Sequence, residues 1–372
     1  MKKYFVMAAL AVSTLTASAQ SVVPKWINNV KLSGFGIVQY TYNGQENNES
    51  NSFNLRLARL ALDGRAFDDW YWKAQIQFNG NTSTLRSSPK LVDLFIEWQK
   101  YDFLRVKAGQ FKNPFTYENP MHPIDQGFMS YSQVISKFAG FSDRAGAHSS
   151  NGRDIGVQLQ GDFLKNASGR NLIHYQVGVF NGQGINVKDV DQQKNIIGGA
   201  WVMPVEGMRL GAFGWIGSYA RKGTSASEGI TNTTLRRLQQ RRYAFSAEYK
   251  VDDWTFRSEY VHSTGYAFAK AMVNTNDASA KDITLSSNGD KSQGVYALVI
   301  APIIKKKCHA KARYDMYQPS KGAEKQRTQY EIGLDYYFNK NICLTGEYAY
   351  IHDRALADPN YSMIDVELSY RF

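Results

Sequence analysis

Short segments in which apolar and polar residues alternate recur along nearly the whole chain. In the last segment, residues 361–372, every second side chain from 364 onward is apolar and the side chains between them are polar. Successive side chains of a strand point to opposite faces, so this segment predicts a strand with one apolar face. Such a strand fits either the edge of a soluble sheet or the closing strand of a membrane barrel. The apolar face comprises Ile364, Val366, Leu368, Tyr370 and Phe372.

Sixteen segments of this kind can be counted, an even number, as expected for a barrel with both termini on the periplasmic side. We therefore expect each segment to be one strand of the barrel. The segments are 30–42, 53–65, 70–79, 91–99, 103–111, 153–163, 171–181, 194–204, 208–220, 241–251, 254–264, 292–302, 307–318, 327–338, 341–352 and 361–372.

The connections between these segments alternate in length. Short ones, such as 66–69 and 252–253, follow even-numbered segments. Short turns on one rim and long loops on the other are typical of outer-membrane barrels, and a soluble sandwich has no reason to alternate in this way. The sequence therefore predicts an all-β protein, a 16-stranded antiparallel transmembrane β-barrel. The longer connections follow odd-numbered segments and include 112–152, 182–193, 221–240 and 265–291.

The first 19 residues have the pattern of a secretory signal peptide. Lys2 and Lys3 precede an apolar run, and small residues at 17–19 supply a cleavage site. No later stretch reaches the roughly 18 apolar residues that a membrane-spanning helix needs. We therefore expect residues 1–19 to be removed and residues 20–372 to form a barrel domain in the bacterial outer membrane.

Side chains alternate between the two faces of a strand, so whether a residue occupies an even or an odd position, here called its parity, decides whether it faces the lumen or the membrane. Parity assigns many of the charged side chains to the lumen. The second segment is ambiguous, because Arg56 and Arg59 have opposite parity and only one can face inward unless the strand has a bulge. Outward-facing Leu60 and Leu62 favour Arg59 inside, which places Arg56 near the rim or at a subunit contact. The other cations assigned to the lumen are Lys73, Arg105, Lys107, Arg257, Lys311 and Arg313.

A barrel of this size is too wide to be filled by its own side chains, so something must narrow it. The longest loop, 112–152, carries Lys112, Thr116 and Arg144, and it is also rich in Phe and Tyr. A loop that is fully solvated would lack such aromatics, so we expect this third loop to fold inward and form the constriction. Packing on the barrel rim is the alternative.

The formal net charge of +11 makes small anions and anionic lipid the expected partners of an exported chain, and we set nucleic acid aside. Arg and Lys lining a pore favour anions, including phosphate. Carboxylates of the last strands, such as Glu331 and Asp335, also face inward and fit the transverse field of a general porin. Cations that only decorate loops facing lipopolysaccharide are the other alternative. The predicted pore-lining residues are Arg59, Lys73, Arg105, Lys107, Lys112, Thr116, Arg144, Arg257, Lys311 and Arg313.

Two neighbouring motifs resemble the phosphate-selective porin O and P family. They are FNLRLARLALDGRAFDDWYWKAQIQF at 53–78 and GQFKNPFTYEN at 109–119, and segments 152–163 and 174–184 agree with them. The resemblance implies a homotrimer of such barrels with an arginine-lined path and a lysine on the inward loop, matched here by Arg59 and Lys112. The family often has two adjacent arginines where this chain has RLAR, which leaves other anions open, such as pyrophosphate or organic acids.

Motifs of other function classes are missing from the sequence. It contains neither GxxxxGK[ST] nor GxGxxG, and the six histidines do not form an HExxH pair. Cys308 and Cys343 lie on separate segments and are expected to stay unpaired. We expect no enzyme activity, metal or cofactor. Three functions remain open: an anion channel, a weakly selective porin for small hydrophilic solutes, and an outer-membrane hydrolase such as a phospholipase, although no GxSxG elbow is present.

Overall fold

In the computed structural model, which describes residues 24, 26–78, 89–145, 150–268, 278–280, 283 and 291–372, sixteen antiparallel strands close into a barrel, and a two-residue strand, Ser279–Ala280, pairs in parallel with Lys222 and Gly223 at its rim. Each barrel strand pairs with the next along the chain. The barrel strands are β1 (Ile27–Asn43), β2 (Ser50–Ala66), β3 (Trp70–Gln77), β4 (Lys90–Tyr101), β5 (Leu104–Lys112), β6 (Arg153–Lys165), β7 (Asn171–Phe180), β8 (Asn195–Val202), β9 (Met208–Ser225), β10 (Ile230–Val251), β11 (Trp254–Thr264), β12 (Lys291–Ile304), β13 (Cys308–Gln318), β14 (Arg327–Asn339), β15 (Ile342–Asp353) and β16 (Asn360–Arg371).

The last strand closes the barrel, as the terminal alternation predicted. β16 pairs with β1 in a register that runs from Phe35 opposite Arg371 to Asn43 opposite Met363. Closure leaves no free sheet edge, which is the condition for a sheet to cross a membrane with its backbone hydrogen bonds satisfied. The predicted 16-stranded antiparallel transmembrane barrel is therefore confirmed.

Burial along the strands is the reverse of that in a soluble protein. On β14, Ile332 and Leu334 are 60% and 54% exposed, whereas Glu331 and Asp335, which flank them in the sequence, are both 6% exposed. The apolar side chains face the membrane and the charged ones face the barrel interior, so the predicted parity of this strand is confirmed. The described residues contain no helix that is long and apolar enough to cross a membrane.

The two rims of the barrel differ in loop length. One of the predicted long loops is wrong. Residues 221–240, expected to be an open loop, are mostly strand, because β9 continues to Ser225 and β10 begins at Ile230. A single 3₁₀ turn, Ala226–Glu228, joins them. The added residues are polar on both faces, so the sequence carries no alternation by which the extension can be recognised. The predicted loop 265–291 and the signal peptide lie largely or wholly outside the described residues.

The third loop packs against the inner face of the barrel. It contains helix α1 (Gln133–Phe138), whose N-cap Ser132 accepts a hydrogen bond from the Ile135 N–H. Val134, Ile135 and Phe138 of this helix are fully buried. α1 packs against β11, β12 and β13. Since these strands expose their apolar side chains on the other face, the loop lies on the lumen side.

Candidate functional site

Inward-facing carboxylates hold the third loop by its backbone. The Glu259 carboxylate accepts hydrogen bonds from the N–H groups of Tyr117 and Glu118, at 2.6 and 2.9 Å. Glu347 accepts from the Met129 N–H at 2.9 Å. These charge-assisted hydrogen bonds satisfy N–H groups of the loop, because the backbone carbonyls of the strands are already paired with one another in the closed sheet. The acidic side chains of β11 and β15 therefore fix the path of the loop through the lumen.

Cations of β11 and β13 donate hydrogen bonds to backbone carbonyls of the loop. Arg257 donates to the Gln126 carbonyl at 2.8 Å, Lys311 to Gly127 at 2.7 Å and Arg313 to Ser130 at 3.0 Å. Each of these three cations is also paired with a carboxylate within 3 Å: Glu248, Asp335 and Glu331 respectively.

The structure therefore places Arg257, Lys311 and Arg313 in the lumen, as parity predicted, but buried beneath the loop. All three side chains are at most 5% exposed. Their charges are compensated by carboxylates and loop carbonyls, so little of their charge is presented to a passing ion.

Three other predicted site residues also lie away from the open lumen. Arg144 of the third loop is buried and donates to the Gln240 amide oxygen at 3.2 Å. Thr116 is 1% exposed and has a φ of +65°, an uncommon conformation for a β-branched residue. Arg105 pairs with Asp162, one residue into β5 from the short turn that joins it to β4.

The remaining four predicted residues meet at one cavity, here called the basic pocket. It has a volume of about 330 Å³ and lies between the inward faces of β1–β7 and the start of the third loop. Five cationic side chains and one carboxylate, Asp93, line it. The cations are Arg59, Lys73, Lys107, Lys112 and Arg153.

Two of the five cations have carboxylate partners. Arg153 forms a two-armed ion pair with Asp93, with bonds of 2.6 and 3.2 Å, and Lys107 lies 3.5 Å from Glu97. Among the described residues, no carboxylate lies within 4.0 Å of Arg59, Lys73 or Lys112. The basic pocket therefore carries uncompensated positive charge.

Lys112 is held by neutral groups. Its Nζ donates to the Asn119 carbonyl at 2.5 Å and to the Tyr131 hydroxyl at 3.2 Å. It also lies 5.3 and 5.7 Å from the ring centroids of Tyr131 and Phe141, within range of cation–π attraction. These contacts fix the position of the Lys112 Nζ without an anionic partner among the described residues.

His122, on the loop side of the basic pocket, does not add to this charge. Burial lowers the pKa of His122 to about 4. Its Nδ1 accepts a hydrogen bond from the Ile124 N–H at 3.2 Å, which requires an unprotonated Nδ1. Its ring packs edge-on against Phe35, with centroids 4.3 Å apart. The imidazole is therefore neutral near pH 7.

A second cavity, of about 210 Å³, lies on the other side of the third loop and is predominantly acidic. Its lining includes Asp125, Asp253, Asp335 and Glu367, with Lys311 among them. Pro123 of the loop borders both cavities. The two sides of the lumen thus differ in composition: cations predominate on the inward faces of β1–β7, and carboxylates, each within 3 Å of a cationic or histidine side chain, predominate on those of β11–β16.

Arg56 is a lumen residue that parity misplaced. The β1–β2 register passes from Ile37 opposite Leu57 to Val38 opposite Leu55, so Arg56 is the extra residue of a β-bulge. Arg56 pairs with Glu367 at 2.6 Å and donates to the Met129 carbonyl. The expected position at the rim or a subunit contact is wrong, and both arginines of RLAR point inward. Their opposite parity was itself the signal of a bulge.

The comparisons agree with this architecture. Residues 33–191 match the family described as phosphate-selective porin O and P, and no curated protein sequence matches the chain. The anion-selective porin from Comamonas acidovorans is similar in fold, with a TM-score of 0.63 at 12% identity, over 92% of this chain and 99% of that one.

Two further solved structures are similar in fold. The trimer form of OmpT from Vibrio cholerae has a TM-score of 0.60 at 13% identity, over 92% of this chain and 99% of that one. OmpF of Salmonella typhi, in complex with daunomycin, has a TM-score of 0.62 at 12% identity, over 94% and 99%. The chain is thus an outer-membrane β-barrel of the porin type, in which residues 33–191 match the phosphate-selective porin O and P family.

Proposed function

We propose that this protein is a passive channel that favours small anions, phosphate among them, and that the anions pass through the basic pocket. The observation that carries the proposal is the set of cations without carboxylate partners, Arg59, Lys73 and Lys112, around one cavity. The porin family match and the porin-type barrel support a channel in the outer membrane.

The strength of attraction in such a pocket suits transport. Two unit charges about 4 Å apart gain roughly 4 kcal/mol at an effective dielectric constant near 20. An anion is therefore concentrated at each cation but released readily to the next, as conduction requires. Arg59 offers a planar fork for phosphate oxygens, and Lys73 and Lys112 offer compact charges.

A weakly selective channel for small hydrophilic solutes is the second candidate. The acidic cavity favours it, because opposed charges on the two walls create a field across the path. Such a field orients polar solutes and lets cations pass along the acidic wall. The excess of cations in the basic pocket leads us to prefer the anion channel.

The remaining parts of the proposal concern assembly and export. The signal peptide at residues 1–19 directs export, and the loop 112–152 forms the constriction. We propose a homotrimer, for which the trimer form of Vibrio cholerae OmpT is the precedent in this fold. The apolar outer face is solvated by outer-membrane lipid, including lipopolysaccharide.

The test is the current through the refolded protein in a planar lipid bilayer with a KCl gradient. An anion channel gives a reversal potential of the sign set by chloride, and added phosphate reduces the chloride current. We expect Lys73→Gln and Lys112→Glu to weaken both effects. Lys165→Gln, which removes an exposed lysine paired with Asp102, is the matched control and changes neither. A reversal potential near zero would favour the weakly selective channel.

A further inference from the structure

A hydrogen-bonded row of polar side chains crosses the outer face of the barrel at the end of the long loops. Tyr260 donates its hydroxyl to the Gln293 amide oxygen at 2.9 Å, and Gln293 donates to the Gln318 amide oxygen at 2.8 Å. Gln318 in turn donates to the carbonyls of Lys321 and Gly322, at 3.2 and 3.1 Å. Three adjacent strands, β11 to β13, are thereby linked to the turn that carries Lys321.

The register shows that this row faces away from the lumen. His262, Gln293 and Gln318 lie opposite one another on β11, β12 and β13. Their neighbours two residues further from the long loops, such as Val295 and Met316, belong to the membrane-facing set. His262 also stacks on outward-facing Tyr243, with ring centroids 5.1 Å apart. Aromatic and amphipathic groups at this level mark the boundary between acyl chains and headgroups.

Cations lie immediately beyond the row. Lys291 and Lys321 are exposed and, with His262, Gln293 and Gln318, line a cavity of about 170 Å³, here called the outer-rim site. Arg241 is also exposed. It lies on β10, two strands away from Lys291 and at the same height in the sheet, so the backbones of the two residues are roughly 10 Å apart. In the described part of the chain, none of these three cations has a carboxylate within 4.0 Å.

We propose that the outer-rim site binds the phosphate of a lipid headgroup in the outer leaflet. The apolar strands below it hold the acyl chains, the amide row supplies neutral donors, and Lys291 and Lys321 supply the opposite charge. Arg241 contacts a second anionic group of the same headgroup. A bound lipid would cover the junction between β11, β12 and β13 at the rim. This site faces lipid, so it is separate from the proposed anion path in the lumen.

The choice of a lipid over a free anion rests on position. A free phosphate is strongly hydrated and needs no apolar surface, whereas a headgroup phosphate arrives with acyl chains that the adjoining face accommodates. Each lysine or arginine near an anionic membrane surface adds appreciably to binding. Inorganic phosphate shares the same chemistry, so the experiment must separate the two sources.

The test is native mass spectrometry of the refolded barrel in detergent with diphosphoryl lipid A as the probe. The unaltered protein is expected to retain one tightly held lipid, and the double variant Lys291→Gln/Lys321→Gln to bind it at least about tenfold more weakly. Lys305→Gln/Lys307→Gln removes the same charge from the turn on the opposite rim and is the matched control, with binding unchanged. Arg241→Gln is expected to cause a smaller loss.

Each other outcome overturns the proposal. Equal loss in both double variants would show that net charge alone retains the lipid. Displacement of the lipid by millimolar inorganic phosphate would assign the site to the free anion. If dephosphorylated lipid A is retained as tightly as the diphosphoryl form, the site does not recognise the phosphate. Conductance in a bilayer reports that each variant is folded, and it is expected to remain that of the unaltered protein, whatever its ion selectivity.

Discussion

Arg242 of β10 and Asp143 of the third loop form a two-armed ion pair, with bonds of 2.7 and 2.8 Å. Neither side chain is exposed to solvent. Arg242 also donates to the Phe138 carbonyl at 2.5 Å, and Asp143 accepts from the N–H groups of Gly140 and Ala145. One pair therefore fixes the end of α1 and the turn that follows it to the barrel wall.

Asp143→Asn is expected to release this part of the loop. The substitution leaves the Arg242 guanidinium buried without a counter-charge, and breaking a buried pair in this way typically costs about 3–5 kcal/mol. The measurements are the urea midpoint of unfolding in detergent and the open-channel noise in bilayers. Asp252→Asn, at an exposed carboxylate 3.8 Å from Lys305, is the control and should shift stability by less than about 0.5 kcal/mol. Equal midpoints for the two variants would contradict the role of the pair.

Glu259→Gln is expected to loosen the start of the loop. Both carboxylate oxygens accept loop N–H groups, and they also accept from Ser246 and from the Tyr296 hydroxyl at 2.8 Å. The amide group of glutamine turns one acceptor into a donor that faces these donors, which costs about 1–3 kcal/mol. We expect a larger single-channel conductance and faster proteolysis within the loop. Glu206→Gln, at an exposed turn, should alter neither.

The barrel was predictable because its signal is local. Alternation within each strand gave the number of strands, and the parity of Glu331 against Ile332 gave their facing. The interior of the barrel could be predicted less well, since parity places Arg257, Lys311 and Arg313 in the lumen but carries no information on what covers them. Their neutralisation depends on cross-strand partners and on loop carbonyls that are distant in sequence, such as Gln126 for Arg257.

Two other differences have a common physical cause. The bulge at Arg56 shifts the register by one residue, and the extended β9–β10 hairpin has polar residues on both faces. Parity reasoning assumes an unbroken period of two and one apolar face, so it fails where either condition is absent. The ion pair of Arg153 with Asp93, which joins β6 to β4 at the basic pocket, could not be predicted for the same reason as the covered cations: it depends on contacts between residues distant in sequence.

Arg56→Leu is expected to make the channel more permeable to cations. The substitution removes the partner of Glu367, which lines the acidic cavity, and so adds uncompensated negative charge to that side of the loop. The measurement is the reversal potential in a KCl gradient, which should move toward that of potassium. Arg56→Lys, which keeps the charge, should restore most of the original value. If the leucine variant keeps its reversal potential, Glu367 does not face the ion path.

Acidic pH is expected to increase the preference for anions through His122. Because burial lowers its pKa to about 4, the imidazole is neutral through the physiological range and becomes charged as the pH falls through that value. The added proton places a further positive charge beside Arg59 and Lys73, and it also removes the acceptor of the Ile124 N–H. The reversal potential should therefore be nearly constant from about pH 8 to pH 6 and move further toward that of chloride below about pH 5. Carboxylates elsewhere in the protein also gain protons in acid, so the comparison is with His122→Gln, which lacks the imidazole but retains the carboxylates. A profile for this variant that coincides with that of the unaltered protein would assign the whole acid effect to the carboxylates.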